Sequence, residues 1–89
     1  MPTREELALV VRTTISDVLG TEVEEVQEHT SLLTDYGIDS LELMEIGSRL
    51  ERALALRIAV EDLTGAEDVG RAIDLLALRL LDHRTAATR

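Results

Sequence analysis

The stretch Gly37-Ile38-Asp39-Ser40-Leu41-Glu42-Leu43-Met44-Glu45-Ile46-Gly47-Ser48-Arg49-Leu50 passes from irregular chain to helix within a few residues. Leu43, Ile46, Leu50 and Leu54 recur at spacings of three and four, as one face of a helix requires, and predict a helix from about Ser40 to Leu54. Its start is marked twice. Asp39 followed by Glu42 has the form of a capping box, and Glu42 and Glu45 put negative charge in the first turns, where the helix dipole favours it.

Upstream, Thr21 to Ile38 shows no sustained period and contains Thr30-Ser31, Thr34-Asp35 and Gly37, so it is predicted as one long loop. Loops longer than about 12–15 residues in a compact domain are commonly functional or disordered. Val23, Val26, Leu32, Leu33 and Ile38 are anchors that argue against disorder. Before the loop, Leu7, Val10, Val11, Thr14, Ile15 and Val18 form a helical face over Arg4 to Leu19, with Thr3 and Glu6 as a second capping box and Gly20 as terminator. Downstream, Leu56 to Val60 is an apolar strand-like or loop segment, and a helical turn is expected at Val60–Leu63. After Gly65, Val69, Ile73, Leu76 and Leu80 predict a last helix from Ala66 or Glu67 to Leu81. Three main helices plus one short helix, with a long loop between the first two, make a small all-α up-down bundle. It is expected to occupy residues 1–83, followed by a frayed polar tail over 84–89.

Composition agrees. Eighty-nine residues at 45% apolar suffice for one core, since a domain of this size buries roughly 60–65% of its extended-chain surface. Tyr36 is the only aromatic, so Leu, Val, Ile and Ala must build that core, which favours helices over a β-sandwich. Eighteen acids against nine bases give a charge of −9, which opposes nucleic-acid phosphates and anionic membranes. No run approaches the ~20 apolar residues of a membrane span, and Met1-Pro2-Thr3-Arg4-Glu5-Glu6 lacks the apolar stretch of a signal peptide, so a cytoplasmic protein is expected. With no cysteine, the chain encodes no disulfide, no metal thiolate and no thiol nucleophile. Any sulfur chemistry must be attached. The charge is also localised: Thr21 to Ile46 holds eight acids and no base, while the rest is nearly balanced.

Ser40 lies where the acidic loop meets the second helix. A serine at a helix start is ordinarily a cap. Asp39 is already placed to cap, which leaves Ser40 in the first turn with its hydroxyl outward. Free backbone N–H groups and the positive dipole end there can stabilise a phosphate joined to that hydroxyl. Gly37 allows a tight or positive-φ turn just before it, and Leu41 is expected to point inward and hold the helix start.

The run Thr30-Ser31-Leu32-Leu33-Thr34-Asp35-Tyr36-Gly37-Ile38-Asp39-Ser40-Leu41 resembles the loop and phosphopantetheine attachment site of acyl carrier proteins, whose hallmark is Asp-Ser-Leu preceded by a glycine. With the length, the acidity and the order of helices, the resemblance covers residues from about 4 to 82. It implies that a phosphopantetheinyl transferase moves 4′-phosphopantetheine from coenzyme A onto Ser40, flanked by Asp39 and Leu41, and that the arm's thiol holds acyl groups as thioesters. It further implies inward positions at Leu43, Ile46 and Leu50, where the core can loosen to shelter an acyl chain. Glu42, Met44, Glu45 and Ser48 would face partner enzymes such as an acyltransferase or ketosynthase, the acids steering encounter with basic patches. A monomer that serves as a substrate of those enzymes is expected.

One departure tempers the pattern. Helices at this position in fatty-acid carriers are typically acidic along their length, whereas this one changes to Arg49, Glu51 and Arg52 in its second half. All nine bases are Arg, a usage that suits a GC-rich genome. Both features tilt the expectation toward polyketide or other secondary metabolism rather than primary fatty-acid synthesis. Peptidyl carriers usually resemble Gly-Gly-x-Ser, so Asp39 favours an acyl load over an aminoacyl one. The rival from another class is an unmodified acidic helical adaptor in which Ser40 is only a cap.

A hydrolase is disfavoured. The only histidines are His29 and His83, nothing in the sequence brings either to Ser40, and Gly-x-Ser-x-Gly is missing. A calcium loop counted from Asp35 fails, with Gly37 at its third position and Ile46 at its twelfth. No catalytic residue and no metal ligand is therefore assigned.

Overall fold

A computed structural model describes the backbone of residues 2–87 and side chains as far as residue 82. Helix α1 spans Arg4–Leu19, α2 Leu32–Tyr36, α3 Ser40–Leu54, α4 Val60–Thr64 and α5 Val69–Ala87, with a single 3₁₀ turn at Val23–Glu25. Among the described residues there is no strand.

The start of α1 is a full capping box: Thr3 Oγ1 accepts from the Glu6 N–H at 3.1 Å, and Glu6 Oε1 accepts from the Thr3 N–H at 2.8 Å. Hydrogen bonding to the carboxylate from the Thr3 backbone N–H, and then from the Thr3 hydroxyl, favours its ionised form and holds the Glu6 pKa below its ordinary value. Gly20 closes the helix, its N–H donating to the Ser16 carbonyl. The expected apolar face is buried at Leu7, Val11 and Ile15, with Ala8 and Ser16 widening it. It packs against α3 and α5, whose own apolar positions Ile46, Leu50, Val69, Ile73 and Leu76 complete one core.

Four expectations are corrected or narrowed. The segment from Thr21 to Ile38 is not one irregular loop but contains the 3₁₀ turn and α2, so the bundle has two short helices rather than one. A five-residue helix makes too few turns to display a period. Second, of the two forms open to Leu56 to Val60, strand-like or loop, the chain takes the loop: Leu56 and Ile58 are buried anchors of a connection, and α4 begins at Val60. Third, α5 starts at Val69 because Asp68 is its cap, with Oδ1 accepting from the Arg71 N–H at 2.9 Å. The same helix continues past Leu81 to Ala87; Thr88 and Arg89, at the end of the expected tail, lie outside the described residues. Fourth, Leu41 is 74% exposed. Two residues turn a helix by roughly 200°, so Leu41 must face away when Leu43 faces the core.

The acidic segment is held by cations from another element. The half-buried Arg12 of α1 reaches under it, donating from Nε to the Val26 carbonyl and from Nη2 to the Val23 carbonyl at 3.1 Å. Arg4 forms a two-pronged pair with Glu28, Nη1 to Oε2 at 3.0 Å and Nη2 to Oε1 at 2.9 Å. Its Nε also donates to Asp74 Oδ1 of α5 at 2.9 Å. Hydrogen bonding to Glu28 and then Asp74 raises the Arg4 pKa, while hydrogen bonding to Arg4 lowers that of Glu28.

Candidate functional site

The site begins in α2, a helix made by its ends. Ser31 Oγ accepts from the Thr34 N–H at 3.2 Å, and Asp35 Oδ2 accepts from the Ser31 N–H at 2.9 Å. At the other end Gly37 adopts φ +59°, a left-handed conformation that glycine reaches at little cost. The Gly37 N–H donates to the Leu33 carbonyl at 3.0 Å and the Ile38 N–H to the Leu32 carbonyl at 3.2 Å, which finishes α2 and reverses the chain.

Two residues later α3 starts on a second complete capping box. Asp39 Oδ1 accepts from the Glu42 N–H at 2.8 Å, and Glu42 Oε1 accepts from the Asp39 N–H at 3.2 Å. The Leu43 N–H donates to the Asp39 carbonyl at 3.0 Å. Ser40 is therefore the first helical residue, exposed, and its hydroxyl is not needed to cap the helix. Ser40 and Leu41 contribute first-turn N–H groups that have no intrahelical acceptor by construction. These donors, the dipole end and the uncommitted hydroxyl fit a phosphoester at Ser40.

The acids around this point differ in their state. Glu42 is half-buried because its side chain turns back into the capping box. Glu45 and Arg49 form an i,i+4 pair at 2.7 Å that lowers the Glu45 pKa. Glu28 is engaged by Arg4, well removed in sequence. The carboxylates of Asp35 and Asp39 accept backbone N–H groups on either side of the turn that leads to Ser40. Arg52 lies in the last turn of α3, so the exposed side of that helix runs from acidic to basic.

Three large apolar side chains stand out of the surface nearby: Leu33, Leu41 and Met44, exposed by 73%, 74% and 53%. Ser48 and Glu45 share the outer side of α3 with Met44. Inside, a cavity of about 480 Å³ has exposed Ser40 and Asp39 at its edge. Leu43 and Ile46 line it, as does Leu63 of α4, but Leu50 does not: it is fully buried in the core outside the lining. Sequence reasoning missed the opposite wall, formed by α2 with Leu32 and Thr34 and by the α4–α5 connection over Gly65 to Asp68. The only signals were the Leu32-Leu33 pair and the small residues around Gly65.

Other chemistry is not assembled. His29 is exposed on the acidic segment, and the His83 side chain lies outside the described residues. Among the described residues no group of three or more His, Asp or Glu side chains is placed to hold a metal ion, and no helix is long and apolar enough to cross a membrane.

Comparison with known proteins adds three relatives and a family. The profile of the family described as a phosphopantetheine attachment site matches residues 10–76, from within α1 to within α5. An acyl carrier protein of Saccharopolyspora erythraea is 33% identical over 72 residues, covering 81% of this chain and 76% of that protein. Polyketide-8 synthase acyl carrier protein 2 of Streptomyces avermitilis is 34% identical over 74 residues, 83% of this chain and 85% of that one. A meromycolate extension acyl carrier protein of Mycolicibacterium smegmatis is 37% identical over 68 residues, 76% of this chain and 69% of that one. A helical bundle that presents a serine at a self-sufficient helix start, matched over most of its length by that family and by carriers from separate pathways, belongs to the acyl carrier proteins, whose working group is a covalently attached 4′-phosphopantetheine.

Proposed function

We propose that Ser40 is the residue that carries 4′-phosphopantetheine, and that the chain shuttles acyl intermediates between enzymes without catalysing a step itself. The observation that carries this reading is the division of labour at the start of α3: Asp39 and Glu42 complete the cap, so the exposed Ser40 hydroxyl is available for modification. When bound, the arm supplies the thiol that the chain lacks. Ser40 contributes the ester oxygen, and the first-turn N–H groups of α3 stabilise the phosphate charge.

Around it, Leu41 and Met44 offer apolar contact and Glu42, Glu45 and Ser48 polar contact to a phosphopantetheinyl transferase and to acyl-processing enzymes such as an acyltransferase or ketosynthase. Leu43 and Ile46 form the cavity wall that shelters an acyl chain, and Leu50 holds α3 in place behind them. The basic second half of α3 and the relative from a polyketide synthase favour service in polyketide or related secondary metabolism.

The test is direct. Apo protein incubated with coenzyme A, magnesium and a broad-specificity phosphopantetheinyl transferase is expected to gain one phosphopantetheine by intact mass, at a peptide containing Ser40. An unmodified mass, or an adduct on another residue, overturns the reading. Glu42→Gln with Glu45→Gln should slow loading several-fold at low salt and flatten its dependence on ionic strength. Glutamine at position 42 can still accept the Asp39 N–H bond, so the change reads charge rather than helix capping. Unchanged kinetics across a salt series would remove both residues from the recognition surface.

A further inference from the structure

The two parts of the wall opposite α3, α2 and the α4–α5 connection, are stitched together at one seam, and Arg4 lies across it. The first two N–H groups of α5 donate to carbonyls of the acidic segment: Val69 to Thr30 at 3.0 Å and Gly70 to Glu28 at 2.7 Å. Ser31, next to Thr30, begins the α2 wall, and Asp68, next to Val69, ends the α4–α5 wall. Gly70 makes the approach possible, since a Cβ there would lie 3.1 Å from the Glu28 carbonyl oxygen and 3.3 Å from Glu28 Cβ. Over the outside of the seam, Arg4 grips Glu28 with two nitrogens and Asp74 with the third. One cation from α1 thus joins the loop to α5.

We propose that Arg4 is a specificity-determining residue: by closing the Glu28–Gly70 seam it limits how far the α2 wall can part from the α4–α5 wall, and hence the length of acyl chain the cavity accepts. The inference rests on the reading that the cavity shelters the cargo. The lining supports a hinged wall: α2 is one short helix bounded by Ser31 and Gly37, and its C-terminal end is held by Gly37 and Ile38 turning back onto it and by a long bond of 3.5 Å from the Tyr36 hydroxyl to the Glu25 carbonyl. Its other end hangs from Thr30, which is buried and whose carbonyl is the acceptor of the Val69 bond. Freeing that bond leaves α2 attached to the bundle chiefly through Leu32 and Ile38.

The experiment compares wild type, Arg4→Gln and, as a control of equal charge change at an exposed arginine, Arg57→Gln. Amide hydrogen exchange is measured on the unloaded proteins. Backbone resonances of Ile46 and Ala72, which line the cavity, are then followed in holo protein carrying butyryl, octanoyl or dodecanoyl thioesters. Arg4→Gln is expected to speed exchange at the Val69 and Gly70 amides by roughly fivefold, the scale of an exposed ion-pair network, and to raise the chain length at which the Ile46 and Ala72 shifts stop growing. Arg57→Gln should do neither. High salt should loosen the same amides in wild type but not in Arg4→Gln. Gly70→Ala gives a second route, because the added Cβ pushes Glu28 away with no change of charge. Unchanged exchange in Arg4→Gln overturns the proposal, as does faster exchange with an unchanged limiting length. Absence of any acyl-dependent shift in wild type overturns the sheltering reading and the gating with it. That outcome is distinct from failure of the seam alone, in which wild-type shifts are present and Arg4→Gln leaves them unaltered.

Discussion

Replacing Ser40 by Ala is expected to abolish the phosphopantetheine adduct completely while leaving the bundle folded. Ser40 is exposed at the first position of α3, and the capping bonds there belong to Asp39 and Glu42. Alanine is a better helix former than serine, so the change in stability should stay within about 1 kcal/mol, the ordinary worth of a cap. Intact mass after exhaustive treatment with coenzyme A and transferase, read beside a thermal melt of the same sample, separates the two effects. Persistence of an adduct would remove Ser40 from the attachment role. Collapse of the melt would make the serine a structural residue, contrary to the bonding at the start of α3.

The second large effect lies in the core. Leu50 is fully buried where α3 packs on α1, within the cluster that also includes Ile46 and Ile73. Truncation to Ala removes three carbons from a filled site and leaves a void, a change that costs about 2–5 kcal/mol. A domain of this length has a total stability on the order of 5–15 kcal/mol, so the variant should melt roughly 10–30 °C lower. Leu41→Ala, which deletes a side chain 74% exposed on the same helix, is the matched comparison and should shift the melt by no more than about 0.5 kcal/mol equivalent. Equal losses in the two variants would contradict the placing of Leu50 on the inner face of α3 and Leu41 on the outer face.

The contrast between those two leucines also shows what a sequence can and cannot disclose. The period of Leu43, Ile46 and Leu50 exposes the direction of α3, because burial along a long helix is a repeating requirement that any window of the sequence samples several times. Leu41 is expected inside as a hold on the helix start, yet the same period, applied strictly, turns it outward. Helix α2 left no such trace. Its five residues are specified by Ser31, Asp35 and Gly37, which are as common in turns as at helix ends, and only the paired bonds between Ser31, Thr34 and Asp35 distinguish the two. The seam was wholly illegible: Arg4, Glu28, Gly70 and Asp74 are brought together by the fold, and no local pattern connects a cation in α1 with carboxylates 24 and 70 residues away. The proposed attachment site was legible because all of its parts lie within a dozen consecutive residues.

The gradient along α3 has a mechanical meaning. Asp39 and Glu42 at one end and Arg52 at the other are separated by roughly 18 Å, at about 1.5 Å per residue, which exceeds the Debye length of about 8 Å at physiological salt. The two ends are therefore felt one at a time rather than as a cancelled sum. A basic surface drawn to the Ser40 end is repelled if it drifts toward Arg52, so the molecule experiences a torque as well as an attraction. On the proposed reading, in which Ser40 carries the arm, the charge on α3 works as a compass needle, turning the carrier serine-first before any side chain touches its counterpart.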